Sequence, residues 1–167
     1  GAFLTGVAAG APPDALFTGG QDWGFAPMHP GGAAADGADL MRRTFAHAAA
    51  AGRLVRIDHV MGLNRIYCIP AGTPATQGHY LRQPTEPLAA AVAIAAHRRG
   101  CVVVGEDLGT VPPETEAMLE RHELLGMRVA QFELPREEHH ALPASPPRTI
   151  ASVNTHDTPT FAGHWAG

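Results

Sequence analysis

The stretch LVRIDH, residues 54–59, is a short run of apolar and β-branched residues that leads to a carboxylate, Asp58. Two other stretches repeat this arrangement. CVVVGED, residues 101–107, contains Glu106, and TIASVNTHD, residues 149–157, ends at Asp157. Each apolar run is too short for a helix and has the composition of a buried strand. The sequence therefore predicts three strands, each followed by an acidic residue.

Helical patterns separate these strands. We expect helices at roughly 36–52, 86–99 and 113–124, and one further strand within 126–134. Strands that alternate with helices favour parallel βαβ units. Because all such units run in one direction, the three acidic residues should gather at one face, which in a closed α/β barrel holds the active site.

The chain length limits how much of a barrel is present. A closed eight-stranded α/β barrel needs about 250 residues, and this chain has 167 without an initiator methionine. We therefore expect four or five βα units belonging to a larger enzyme. Within this single barrel domain, residues 1–35 are rich in Gly and Pro and predict an active-site loop region, residues 36–167 predict the βα units, and residues 60–85 predict a second long connection.

Smaller details follow from the same patterns. Asp36 or Asp39 could cap the first helix, and Thr85 could cap the second. Residues 135–149 predict a loop. Gly105, directly before Glu106, leaves room for a close approach of another group.

Composition excludes several classes of protein. The chain has 16 acidic and 12 basic residues without a basic run, so nucleic acid is not an expected partner. No apolar stretch is long enough to span a membrane. Cys68 and Cys101 form no disulfide or metal pattern, which favours a reducing, cytoplasmic location.

Other chemistries lack their motifs. There is no GxSxG, Walker loop or GxGxxG. His59, His156 and the pair His139–His140 could in principle bind a metal, but HExxH and similar spacings are absent. We expect no metal and no cofactor.

Strand alternation relates the acids to their neighbours. Arg56 and Asp58 should point to the same face, where the guanidinium favours an ionised carboxylate. Glu106 has no basic neighbour in sequence, and a carboxyl in such a setting can keep its proton near neutrality. An anionic and a protonated carboxyl are the machinery of a retaining glycosidase. His156 flanks Asp157, which could grip sugar hydroxyls or developing positive charge.

Structural explanations remain open for each acid. Asp58 could be only the ion-pair partner of Arg56. Glu106 and Asp107 could stabilise a helix N-terminus, which favours negative charge. Asp157 and His156 could be an ordinary loop pair.

Five motifs carry a more specific resemblance. They are GAPPD (10–14), GQDWG (20–24), VRIDHVMGL (55–63), VVVGEDLGTVPPE (102–114) and NTHDTPT (154–160). In order and approximate spacing they resemble the signature blocks of amylomaltases, the 4-α-glucanotransferases of glycoside hydrolase family 77. The resemblance covers nearly the whole chain.

The resemblance implies a fold and a division of roles. The fold would be a partial (β/α)8 TIM barrel of the α-amylase clan, covering about strands four to seven. Asp58 would be the nucleophile at the end of the fourth strand and Glu106 the acid/base at the end of the fifth. The sixth strand would lie at 127–133. Asp157 would be the transition-state stabiliser at the end of the seventh.

The resemblance also implies a sugar site and a substrate. The residues expected to bind or support the sugar are Arg56, His59, His156, Asp14, Gln21 and Trp23. Trp23 could equally pack in the core. The substrates would be maltooligosaccharides or other α-1,4-glucans, from which a segment is transferred to the 4-hydroxyl of an acceptor. An α-glucan hydrolase of the same clan and a non-catalytic sugar-binding fragment are the alternatives.

Overall fold

The computed structural model of the protein describes residues 1–15, 17–32, 37–134 and 144–166. In chain order the strands are β1 (Val7–Ala11), β2 (Gln21–Asp22), β3 (Leu54–Ile57), β4 (Arg65–Pro70), β5 (His79–Arg82), β6 (Val102–Gly105), β7 (Gly126–Val129) and β8 (Thr149–Ser152). The helices are α1 (Pro30–Gly32), α2 (Ala38–Ala48), α3 (Thr85–Arg99), α4 (Pro113–Arg121), α5 (Ala130–Glu133) and α6 (Phe161–Trp165). Single 3-10 turns occur at Val60–Leu63 and Ala75–Gln77.

Four strands run parallel, as the sequence predicts. β3 pairs with β6, and β7 pairs with β8. Leu125, just before β7, joins the two pairs: its N–H donates to Val103 at 2.9 Å and its carbonyl accepts from Gly105 at 2.7 Å. The spatial order is therefore β3-β6-β7-β8, the order of four successive βα units.

Helices cover one side of this parallel arrangement. α2, α3 and α4 contribute Phe45, Leu88, Val92 and Met118 to a buried cluster that also contains Val103 of β6. Val55 and Ile57 of β3 pack against the same cluster, as strand alternation predicts. Their neighbours Arg56 and Asp58 consequently face away from the helices.

α3 ends as the sequence predicts. Basic residues His97, Arg98 and Arg99 occupy its last turn, where positive charge interacts favourably with the negative end of the helix dipole. Gly100 follows with φ 58°, a left-handed conformation that glycine adopts at little cost.

The predicted caps are wrong where they can be tested. Gly37 precedes α2, and Asp39 binds Arg42 and Arg43 instead of capping it. Thr85 is the first residue of α3 and accepts a hydrogen bond from the Asn64 side chain at 3.2 Å. Asp36 lies outside the described residues, as do 135–143 of the predicted loop.

Two segments predicted as connections contain strands instead. β1 and β2, within residues 1–35, form an antiparallel sheet with β4 and β5, within residues 60–85, in the order β2-β1-β4-β5. Eight residues join β4 to β5, a longer link than the usual hairpin turn, so no short turn marks the hairpin in the sequence.

The strand predicted within 126–134 is shorter than expected. β7 stops at Val129, and the chain turns into the one-turn helix α5. Arg128 and Glu133 form an ion pair across this turn, which stabilises it locally.

Candidate active site

Asp58 lies directly after β3, at the end where the parallel strands finish. Its Oδ1 atom accepts a hydrogen bond from the Arg56 guanidinium. The Asp58 side chain remains 65% exposed, so this ion pair leaves the carboxylate accessible. The predicted Arg56–Asp58 pair is therefore present.

Glu106 lies at the corresponding position after β6. The register pairs Ile57 with Gly105, and one residue further along this register places Asp58 beside Glu106. The Glu106 N–H donates to the Ile57 carbonyl at 2.8 Å, which ties the two strand ends together. Neighbouring parallel strands thus bring two carboxyl groups to one edge of the sheet.

The surroundings of Glu106 differ from the sequence expectation. No basic side chain among the described residues bonds to it, but Oε2 accepts the His59 N–H at 2.8 Å and Oε1 accepts the Leu108 N–H at 2.9 Å. Such contacts come from backbone N–H groups, so no residue type in the sequence indicates them. They hold the carboxyl group in one orientation.

His59 provides one of those donors because of its backbone conformation. Its φ of 47° and ψ of 63° are left-handed, which is uncommon for a residue other than glycine. The chain turns sharply there and directs the His59 N–H at Glu106. The bend also brings Val60 against Gly105, where an added Cβ would lie 2.8 Å from Val60 Cγ2. The predicted close approach at Gly105 is therefore confirmed.

The His59 ring packs against the segment that carries GQDWG. The Trp23 and His59 ring centres are 5.0 Å apart in an edge-on arrangement. Burial lowers the pKa of His59, while the negative charges of Glu106 and Asp58 oppose that shift. The ring is therefore held neutral over a wider pH range than an exposed histidine.

Trp23, Gln21 and Asp14 lie on the β1–β2 side of the molecule. Trp23 is half-buried, and its indole N–H donates to Gln21 Oε1 at 3.2 Å. Its ring also stacks on Phe25 at 6.1 Å. Asp14 is exposed and its Oδ1 accepts the Phe17 N–H at 2.6 Å. Of the three, Trp23 contacts His59, whose backbone N–H binds Glu106.

Asp157 lies five residues beyond the end of β8, in a turn. His156 Nε2 is 3.2 Å from Asp157 Oδ2, and Asp157 is 71% exposed. The turn is closed by the Thr155 N–H, which donates to Thr158 Oγ1 at 2.9 Å. The described contacts of Asp157 are local, and none of them joins it to Asp58 or Glu106.

Asp107 has a role that the sequence did not predict. It was expected at a helix N-terminus, but α4 begins only at Pro113. Its Oδ1 instead accepts the Met127 N–H at 2.6 Å, so the residue after Glu106 is fixed to β7. The glycine at position 126 is the feature of the sequence that could have indicated this contact, because a Cβ there would lie 2.6 Å from Asp107 Oδ2.

The described residues offer no metal centre. Within 1–15, 17–32, 37–134 and 144–166, no group of three or more His, Cys, Asp or Glu side chains is arranged to hold a metal ion. His139 and His140 lie outside these ranges. In the same part of the chain, no helix is long and apolar enough to cross a membrane.

Comparison with known proteins agrees with this geometry. A family model described as 4-alpha-glucanotransferase, Glyco_hydro_77, matches residues 1–167. The chain belongs to this family. The resemblance inferred from the five motifs is thereby confirmed.

Family members match the chain over nearly its whole length. The 4-alpha-glucanotransferase of Mycobacterium tuberculosis (strain ATCC 25618 / H37Rv) is 44% identical, over 97% of this chain and 23% of the relative. Those of Haemophilus influenzae and Thermus thermophilus are 35% and 34% identical, over 98% and 94% of this chain. The chain spans 23% and 32% of these two relatives.

Solved structures of glycoside hydrolase family 77 show the same fold. The amylomaltase of Corynebacterium glutamicum superimposes with a TM-score of 0.87 at 32% identity, over 97% of this chain and 23% of that one. The amylomaltase of Streptococcus agalactiae in complex with acarbose gives a TM-score of 0.83 at 22% identity. It covers 96% of this chain and 33% of that one. The predicted fold class, an α/β partial barrel, is confirmed.

Proposed function

We propose that this chain forms the catalytic part of a retaining 4-α-glucanotransferase acting on α-1,4-glucans. The observation that carries the proposal is the pairing of Asp58 and Glu106 at the ends of two adjacent parallel strands. One carboxyl group is ion-paired with arginine and accessible; the other is oriented by two backbone N–H groups. Family membership supplies the reaction class.

The proposed reaction begins with attack by Asp58. Its carboxylate attacks the anomeric carbon while Glu106 donates a proton to the glycosidic oxygen, which releases the reducing-end fragment. The covalent glucosyl-enzyme is then attacked by the 4-hydroxyl of an acceptor glucan. Glu106 takes the proton of that hydroxyl, which returns both residues to their starting state. Two carboxyl groups suffice, so no cofactor takes part.

Arg56 has a positioning role in this proposal. Its guanidinium binds Asp58 Oδ1 and holds the carboxylate in position. Asp58 Oδ2 then remains available for bond formation. Asp157, with His156 beside it, stabilises the positive charge that develops on the sugar.

The sugar groove in this proposal runs past the GQDWG segment. His59 and Trp23 are in contact and lie next to the carboxyl pair, so we assign them to the donor sugar. An aromatic face beside a carboxyl pair suits stacking on a pyranose ring. Gln21 orients the Trp23 indole, and Asp14 lies further along the same segment.

The acidic pair alone does not determine whether the enzyme transfers the sugar to an acceptor or hydrolyses the bond. An α-glucan hydrolase of the same clan would use the same three acids. Transfer requires that the covalent intermediate meet a sugar while water is excluded. We base the choice of transfer on family membership.

In this proposal the chain works together with the remaining strands of the barrel. Leu54 of β3 and Val102 of β6 lie opposite each other and are 51% and 46% exposed. Apolar side chains on barrel strands are normally covered by the other strands. A chimaera in which this chain replaces the matching segment of the Mycobacterium tuberculosis relative would provide the remaining strands. We call it the barrel chimaera below.

Both free thiols, Cys68 and Cys101, suit a reducing cytoplasm.

The test is incubation of the purified chain and of the barrel chimaera with maltotriose, followed by chromatography. Transfer produces glucose, maltopentaose and longer oligomers, whereas hydrolysis produces only shorter sugars. Asp58→Asn should abolish turnover, and a retained rate would disprove its role as nucleophile. Mass spectrometry of the Glu106→Gln variant with maltotriosyl fluoride should detect a glycosyl adduct on Asp58. A chain that binds maltotriose while the chimaera stays inactive would favour the sugar-binding alternative.

A further inference from the structure

A cavity is present whose lining includes neither Asp58 nor Glu106. It has a volume of about 530 Å³ and is bounded by the β4–β5 hairpin, the first turn of α3 and one side of α4 along its length. Ligand sites commonly have volumes of about 300–1,000 Å³. Its lining includes three arginines, Arg65, Arg82 and Arg121, and none of the residues assigned to the sugar site.

Two of these arginines lie directly opposite each other. The antiparallel register pairs Arg65 of β4 with Arg82 of β5. Like charges at such positions destabilise a sheet unless something compensates them. Within the described residues neither arginine forms an ion pair, although five other arginines do. The hairpin therefore places two guanidinium groups side by side without a carboxylate partner among the described residues.

The other charged side chains in the lining do not remove this excess. Glu86 is already bound to Arg121 at 2.5 Å and to His122 at 3.1 Å. Glu114 is the remaining carboxylate, so the lining has three arginines against two glutamates. This positive site occurs in a chain whose net charge is −4.

The geometry suits recognition of a planar or tetrahedral anion. The Arg65 guanidinium lies 4.2 Å above the Tyr80 ring, which holds it flat and leaves its edge free to donate. Arginine presents several N–H donors in a fork that matches phosphate oxygens. The N-terminal end of α3, which carries partial positive charge, borders the same cavity.

Gln83 forms part of the cavity wall and is only 9% exposed. Its Nε2 donates to the Met28 carbonyl at 3.0 Å, but its buried Oε1 has no partner among the described residues. Buried side-chain oxygens usually accept a hydrogen bond.

We propose that this cavity binds a phosphoryl group, held by Arg65 and Arg82. The proposal does not depend on the glucanotransferase reaction. Its failure would leave the assignment of Asp58 and Glu106 unaffected.

The test is calorimetric titration of the purified chain, and of the barrel chimaera, at low ionic strength. The probes are inorganic phosphate, glucose 1-phosphate and uncharged glucose. Both phosphates should bind, and glucose should not. Arg82→Gln should weaken phosphate binding about tenfold, because one charge-assisted contact is lost. Arg65→Lys should retain part of the affinity, since it keeps the charge but loses the planar fork.

Arg98→Gln is the matched control. Arg98 is exposed in the last turn of α3, at the far end of the helix from the cavity. Its replacement removes the same charge and should leave affinity unchanged. Without phosphate, Arg82→Gln should melt no lower than the parent chain, because it relieves the repulsion from Arg65. Equal affinity in the parent and Arg82→Gln would overturn the proposal. So would an equal loss in Arg98→Gln, or tight binding of glucose itself.

Discussion

The carboxyl pair at β3 and β6 and the Asp157 turn after β8 are anchored in different ways. Glu106 is held by the N–H of His59, a residue 47 positions away, and Asp107 is held by β7. The turn at Asp157 is closed by Thr155 and Thr158, both within three residues. The first acidic region is thus part of the sheet, whereas the second is positioned by its own short segment. Changes in the first should affect stability and activity together, and changes in the second should affect activity alone.

The largest expected effect concerns the proton transfer by Glu106. Glu106→Gln keeps an acceptor oxygen for only one of the His59 and Leu108 N–H groups, turns an amide NH2 toward the other, and cannot exchange a proton. We expect kcat of the barrel chimaera on maltotriose to fall by about 10³-fold, and the free energy of unfolding to fall by about 1–2 kcal/mol because one backbone N–H loses its acceptor. Glycosylation by maltotriosyl fluoride needs no acid and should fall far less. Equal losses on both substrates would contradict the acid/base role.

Gly126→Ala should break the link between Asp107 and β7. The new methyl group would lie 2.6 Å from Asp107 Oδ2, so the carboxylate or the strand must move. We expect a loss of about 2 kcal/mol in the free energy of unfolding, measured by urea titration. Gly19→Ala is the control, because an added Cβ there meets nothing within 4 Å. If both variants were equally stable, the close approach would not constrain the fold.

Replacing Asp107 itself tests the same link from the other side. Asp107→Ala removes the acceptor of the Met127 N–H, whereas Asp107→Asn retains an oxygen there. We expect Asp107→Ala to cost about 1–2 kcal/mol of stability and Asp107→Asn clearly less. In the barrel chimaera the alanine variant should also lower kcat, because Glu106 is the adjacent residue. A full loss of kcat in Asp107→Asn with unchanged stability would indicate direct participation in the reaction.

Thr158→Ala should show the opposite behaviour. It removes the hydroxyl that closes the Asp157 turn, so Asp157 loses its fixed position. We expect kcat to fall about tenfold through misplacement, while the free energy of unfolding changes by about 0.5 kcal/mol or less. Thr160→Ala is the control, since Thr160 accepts from Gly163 in the next helix. A large drop in melting temperature for Thr158→Ala would remove the distinction between the two regions.

The smallest effect concerns pH. Burial lowers the pKa of His59 in the folded chain, so the unfolded chain takes up the proton first as pH falls. This stabilising contribution is complete above the unfolded pKa of about 6.5 and declines as pH drops below it. The melting temperature should therefore decrease less between pH 7.5 and pH 5.5 in His59→Asn than in the parent. Asparagine tolerates the left-handed conformation. An equal decrease would show that His59 does not contribute.

Sequence patterns predicted the parts of the site that depend on strand alternation. Arg56 and Asp58 are two residues apart on one strand, so their pairing follows from the period of a strand. The position of Glu106 follows in the same way from parallel pairing. Its two N–H donors could not be predicted, because they depend on the left-handed turn at His59 and on the loop at Leu108.

The antiparallel sheet was missed for a different reason. Val7–Ala11 consists largely of alanine and glycine, which have low strand propensity, and it becomes a strand by pairing with β4. Such pairing joins residues about 60 positions apart and leaves no local signal. The place of Asp157 relative to the other acids likewise depends on residues after β8 that form a turn without periodicity.

The left-handed turn at His59 also determines what mutational scanning can detect. The group that orients Glu106 is a backbone N–H, and eighteen of the nineteen possible replacements of His59 keep it. An alanine scan would therefore report on the imidazole and its contact with Trp23, and would leave the orienting hydrogen bond uncounted. Only proline deletes this donor, and proline cannot adopt a φ of 47°. An ester in place of the amide at this position, introduced by chemical synthesis or translation with a hydroxy acid, would remove the hydrogen-bond donor while keeping the side chain.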